Sequence, residues 1–160
     1  MLDYRENEII IVEALRSYLR SKFPTCEVVR QNQISKAPAY PYVSYTVISP
    51  VGNHTGTYSE TVDGTLYKDI LQTWSFTSQS NDQEEAMIIS MMIYDFFSAL
   101  GLVPLADKNI TVRRVGNITT RDNLLTIEYE YRNGLDVVFG LLYAITPDNG
   151  VIETMSFKEV

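Results

Sequence analysis

Apolar residues recur through residues 8–23 at helical spacing. Ile11, Leu15, Tyr18 and Leu19 share one face, and Pro24 closes the run. Arg16, Arg20 and Lys22 sit toward its C-terminal end, where the helix dipole favours cations. Residues 26–31 are predicted as a short strand and residues 32–41 as a loop, since Pro38 and Pro41 deny it regular structure. Residues 42–49, aromatic and β-branched and ended by Pro50, predict a second strand. Residues 51–67 are polar, with Gly52, Gly56 and Gly64. Asp63-Gly64 is a tight-turn signal, so a hairpin and a long mobile loop are both open there. Residues 69–79 alternate as a strand, with Leu71, Thr73, Ser75 and Thr77 on one side and Ile70, Gln72, Trp74 and Phe76 on the other.

A second helix is predicted over residues 81–100. Ser80 with Gln83 suggests a capping box, Asp82, Glu84 and Glu85 load the first turn, and Gly101 stands where a C′ glycine belongs. Strands follow over residues 110–115 and 124–132. In the latter Leu125, Ile127, Tyr129 and Tyr131 face one way, and Thr126, Glu128 and Glu130 the other. Asn133-Gly134 reads as a turn or bulge before a strand over 135–145, and Asp148-Asn149-Gly150 as a hairpin turn into 151–157. The order α-β-β-β-α-β-β-β gives an α+β fold, two helices packed on a mainly antiparallel sheet, in a single domain spanning 1–160.

The second helix carries two apolar stripes. Ile89, Ile93, Phe96, Phe97 and Leu100 suit packing on the sheet. Met87, Met91 and Tyr94 fall at i, i+4, i+7 on a different face. A helix apolar on more than one face is either central in a large core or pressed against another molecule. With only two predicted helices to enclose it, a subunit contact is the favoured reading, and the flexible methionine thioethers suit one.

Composition narrows the chemistry. Acidic residues outnumber basic ones 20 to 13, for a net charge of −7, which disfavours tight binding to a phosphate backbone. Arg113-Arg114 is the one close basic pair, and adjacent strand positions are expected to face opposite sides. The single cysteine, Cys26, excludes an intrachain disulfide and reads as a core residue. The single histidine, His54, lacks neighbours at ligand spacing. No phosphate loop or nucleophile elbow is present. No catalytic, cofactor-binding or metal-ligating set is therefore expected. Glu128 and Glu130, about 7 Å apart on one strand face, admit an acid–base pair, but a solvated polar face predicts the same pattern. The start of the chain lacks a signal-peptide pattern and no apolar run is long enough for a membrane helix, so a protein made in a cytoplasm is expected.

The segment Pro38-Ala39-Tyr40-Pro41-Tyr42-Val43-Ser44-Tyr45, followed by a strand, a polar loop and an alternating strand, resembles the N-terminal half of bacteriophage neck and tail terminator proteins. Tyr131-Arg132-Asn133-Gly134-Leu135-Asp136-Val137-Val138-Phe139 is similar to their C-terminal half. The resemblance implies a structural virion protein, not an enzyme, assembled in the bacterial host cytoplasm. It implies a homo-oligomeric ring, usually a hexamer, on the last ring of the tail tube. That ring ends tube growth and offers a docking surface to the head–tail connector, near any tail sheath, while DNA crosses the lumen without sequence-specific contact.

Within that frame Met87, Met91 and Tyr94 are the candidate subunit interface. Gly52, His54, Gly56, Tyr58, Asp63 and Gly64 belong to a candidate interface loop, Glu128 and Glu130 are candidate lumen-facing residues, and Arg132 with Asp136 is a candidate structural pair. A neighbouring head–tail connector or completion protein, a small enzyme using Glu128 and Glu130, and a ligand-binding module with a tyrosine-lined cavity are the other readings.

Overall fold

The computed structural model describes residues 4–32, 36–52, 58–124 and 129–146. Two long antiparallel strands form its spine. Strand β4 (Leu66–Ser80) and strand β8 (Tyr129–Ile145) pair from Leu66 opposite Ile145 to Ser80 opposite Tyr131. On one side β2 (Tyr42–Ser49) joins β4 antiparallel, and β1 (Glu27–Arg30) joins β2 in parallel. On the other side β5 (Ile110–Val115), then the short β6 (Thr119–Thr120) and β7 (Asn123–Leu124), line successive stretches of the β8 edge. The main order is β1-β2-β4-β8-β5, so the α+β class and the mainly antiparallel sheet agree with the sequence pattern. The short β3 (Ser59–Glu60) turns the 58–67 stretch into a hairpin with β4, with the Asp63-Gly64 turn at its tip and Gly64 at φ +82°.

One face of the sheet is covered by α1 (Tyr4–Arg20) and α2 (Gln83–Asp95). Period-two burial on β4 and β8 puts Ile70, Trp74, Phe76, Leu135, Val137, Phe139 and Leu141 on that face. Phe97 packs between Phe76 and Phe139, at centroid separations of 5.0 and 5.3 Å, and Trp74 stacks on Tyr45 at 5.4 Å. Ile11, Leu15 and Leu19 seal the core from α1, and Cys26 is buried among them.

Three expectations about the second helix are corrected. Its N-cap is Asp82, whose carboxylate accepts from the Glu85 N–H at 3.1 Å; Ser80 instead accepts from the Asp82 N–H and donates to the Glu85 carboxylate. After Asp95 the chain winds through a π-helical turn, Phe96–Leu100, closed by the Gly101 N–H on the Phe96 carbonyl at 2.7 Å. The wider turn rotates Leu100 away from the core stripe and leaves it 59% exposed. Gly101 is right-handed, with φ −91°, and is not a left-handed C′ residue. A Cβ there would stand 2.7 Å from the Phe96 ring, so close packing explains the glycine. A further helix, α3 (Leu102–Ala106), follows and buries Leu105.

Asn133-Gly134 makes no turn. Both residues lie inside β8, opposite Ser78 and Thr77, because the long ladder with β4 outweighs the local preference. The predicted turn at 148–150, the strand over 151–157 and residues 125–128 of the strand over 124–132 lie outside the described residues, while residues 129–132 begin β8.

Candidate functional site

The outer surface of α2 is set by how the helix is anchored. Ser78 Oγ donates to the Ala86 carbonyl at 2.7 Å, fastening the first turn to β4, and Ala86, Ile89, Ser90 and Ile93 are buried beneath. This orientation turns Met87, Met91 and Tyr94 outward, with Met91 53% exposed. The second stripe is therefore not part of the core of this chain. Glu84 and Asp95, also exposed, flank it.

The candidate loop is divided. Gly52 lies against β4, its N–H donating to the Leu71 carbonyl at 2.6 Å. A Cβ there would stand 3.2 Å from the same oxygen. Tyr58 is exposed, with Lys68 Nζ 5.2 Å from its ring centroid. At the hairpin tip the Asp63 carboxylate accepts from the Thr61 hydroxyl and from the Thr65 N–H at 3.1 Å. These bonds hold its carboxyl below the usual range. His54 and Gly56 lie outside the described residues.

The sheet face opposite the helices is organised by arginines that lie over glycines. Arg121 crosses Gly134, Nη1 donating to Ser75 Oγ at 2.7 Å and Thr77 Oγ1 at 3.0 Å, Nη2 to Asp136 Oδ1 at 3.2 Å. Asp136 is therefore the partner of Arg121, and the expected Arg132–Asp136 pair is not formed. Arg132 instead pairs with Glu130, while its backbone N–H donates to Asp122 Oδ1 at 2.8 Å. Four positions along an extended strand separate Arg132 and Asp136 by about 13 Å, which explains why each finds a nearer partner.

Arg113 and Arg114 are also corrected. The ladder shifts between Val112 and Arg114, so Arg113 is an extra, bulged residue. Val112, opposite the core residue Phe139, is half-buried. Arg114 stands opposite Val138, and the Arg113 guanidinium lies where a Gly140 side chain would project. Both arginines thus reach the open face. Arg114, Arg121, Asp136, Thr73 and Val138 line an open groove of about 460 Å³.

Glu130 is not on a solvated face. It is 4% exposed, accepts from the Tyr40 hydroxyl and pairs with Arg132. Burial, then the Glu130 hydrogen bond and charge, push the Tyr40 phenol above its ordinary range. A carboxylate so enclosed lacks the solvent access expected of a lumen residue. Glu128 lies outside the described residues. A second open groove, about 250 Å³, is lined by Arg30, Lys36, Tyr42 and Arg132 among others. Tyr42 is the one tyrosine on either groove, unlike a tyrosine-lined cavity.

Among the described residues no group of three His, Cys, Asp or Glu side chains is placed to hold a metal, and no helix is long and apolar enough to cross a membrane. Cys26 is fully buried, and desolvation pushes its thiol up to about 11, which suits an inert core residue. Arg121 was not singled out from sequence, Arg113 was noted only as half of a basic pair, and Tyr40 only as part of the Pro38–Tyr45 motif. The glycines beneath the arginines carried the signal, since an interior strand glycine marks close approach of another group.

What the arrangement offers is surface: an exposed apolar helix face, a capped hairpin and an open sheet face studded with arginines. No curated protein matches the chain. The sequence signature described as phage neck terminator protein matches residues 10–159, nearly its whole length. The chain belongs to the phage neck terminator protein family.

Proposed function

We propose that this chain is a structural component of the virion neck that assembles as a homo-oligomeric ring, a hexamer as its resemblance to tail terminators implies. The ring caps the last ring of the tail tube, ends its growth and presents a docking surface to the head–tail connector. DNA crosses the lumen without sequence-specific contact, consistent with a net charge of −7. The observation that carries this reading is the exposed Met87, Met91 and Tyr94 stripe on a helix whose other face is already buried. An apolar surface of this kind on a neck protein is best satisfied by a neighbouring subunit. The 58–67 hairpin, with Tyr58 at its base, extends β4 and is suited to reach the tube or an adjacent copy. Assembly takes place in the host cytoplasm, and tube, connector and any sheath are the partners.

Negative-stain electron microscopy of the purified protein tests this. Rings with a pore wide enough for duplex DNA are expected; discrete single subunits at every concentration, with or without tail tubes, contradict it.

A further inference from the structure

We propose that the open sheet face around Arg113 and Arg114 is the surface that receives the outer face of α2 from a second copy of this chain. This rests on the self-assembly reading and supplies the second half of its interface.

The α2 stripe has a definite charge pattern. Glu84, Met87, Met91, Tyr94 and Asp95 fall at i, i+3, i+7, i+10 and i+11, all exposed. An apolar centre is thus flanked by a carboxylate at each end, over about 16 Å of helix. Two such stripes meeting face to face in antiparallel fashion would set Glu84 against Asp95, carboxylate against carboxylate. Self-pairing of the stripe is therefore disfavoured, and a different surface must receive it.

The sheet face has the complementary pattern. Leu142 is 41% exposed, and Leu71 and Val138 are half-buried on the same face. Leu71 is opposite Gly140 in the ladder, and Gly140 is the position over which the Arg113 guanidinium lies. The bulge at Arg113 adds a second cation, Arg114, to the same patch. Neither arginine forms an ion pair with a described carboxylate, in contrast to Arg121 and Arg132. Asp69, opposite Leu142, is the acid at the margin, and Asp136 in the adjoining groove is already paired with Arg121, so the two remaining cations face one anion here although the chain as a whole is acidic. Apolar meets apolar and opposite charges meet. A contact between unlike surfaces also propagates head to tail, as ring closure requires.

Charge exchange tests the pairing. R113E/R114E and E84K/D95K are prepared separately, together in one chain, and as a mixture of the two chains, with folding checked by circular dichroism. Sedimentation then measures self-association. Each reversal alone should weaken association about tenfold or more, since close interfacial charge pairs carry energies of that order. Both the fully exchanged chain and the equimolar mixture should recover it, because every contact then joins opposite charges. Wild-type association left unchanged by R113E/R114E overturns this inference and leaves self-assembly standing. Loss in both reversals with no recovery in the exchanged chain or the mixture also overturns it, assigning the two surfaces to different partners. A wild-type protein that never associates overturns the self-assembly reading and this inference with it.

Discussion

The guanidinium of Arg121 lies directly over Gly134, with Nη1 2.6 Å from where a Cβ on that residue would stand. The missing side chain lets a residue from the β8 edge reach across that strand to Ser75 and Thr77 on β4, while pairing with Asp136 on β8 itself. A dipeptide that resembles a turn signal is thus a bearing surface in the middle of a sheet.

Gly134→Ala should therefore destabilise the fold by about 1–3 kcal/mol, the cost of displacing charged hydrogen bonds from a part-buried site. In an Arg121→Ala background the same change should be nearly neutral, because the three atoms nearest the added methyl all belong to the guanidinium that is then removed. A double-mutant cycle by urea denaturation reads the coupling, and additive effects would contradict the geometry.

Glu130 supplies a second test. Arg132→Ala leaves a buried carboxylate held by Tyr40 alone, at a cost of about 3 kcal/mol, the lower end for breaking a buried pair because Arg132 is partly solvated. Tyr40→Phe removes one hydrogen bond to the same carboxylate and should cost about 1.5–3 kcal/mol. Equilibrium unfolding of the two variants checks both values.

Much of this architecture was legible in the sequence because local pattern and tertiary packing agree. The predicted limits of β2 and β5 are those observed, and the side of β4 carrying Ile70, Trp74 and Phe76 is the buried one. Where the sequence misled, a one-residue irregularity or a long-range partner decided the outcome. The π turn after Asp95 displaces Leu100, and the bulge at Arg113 brings two adjacent arginines to one face; neither leaves a periodic trace. Asn133-Gly134 has turn chemistry, but a ladder running from Leu66 to Ser80 holds it extended. The exposed α2 stripe was legible because its spacing is helical, whereas the Arg121 and Tyr40 contacts depend on residues far apart in sequence.

Cys26 gives a pH signature. Its folded-state value is about 11 against an ordinary 9.0, so the native state favours the protonated thiol. Below about pH 9 both states hold the proton and the contribution is fully present. Between about 9 and 11 the unfolded chain ionises first and that stability is lost. The wild type should lose more stability than Cys26→Ala across this window, as read by urea midpoints, and the thiol should resist alkylation at pH 8 until the protein is unfolded. Parallel pH profiles for the two proteins would contradict this.

Met91→Glu places a charge in the centre of the exposed stripe. Since the side chain is outside the core, the stability of the subunit should change by no more than about 0.5 kcal/mol. Self-association measured by sedimentation should nevertheless fall steeply, because a carboxylate would then be desolvated in an apolar contact.

The most direct measurement of the central claim is the length of tail tubes polymerised from their subunit with and without this protein, seen by electron microscopy. Tubes of limited length, each bearing a ring at one end, are the predicted result, with Met91→Glu failing to limit growth. Tubes that lengthen identically in the presence and absence of the wild-type protein would contradict the account.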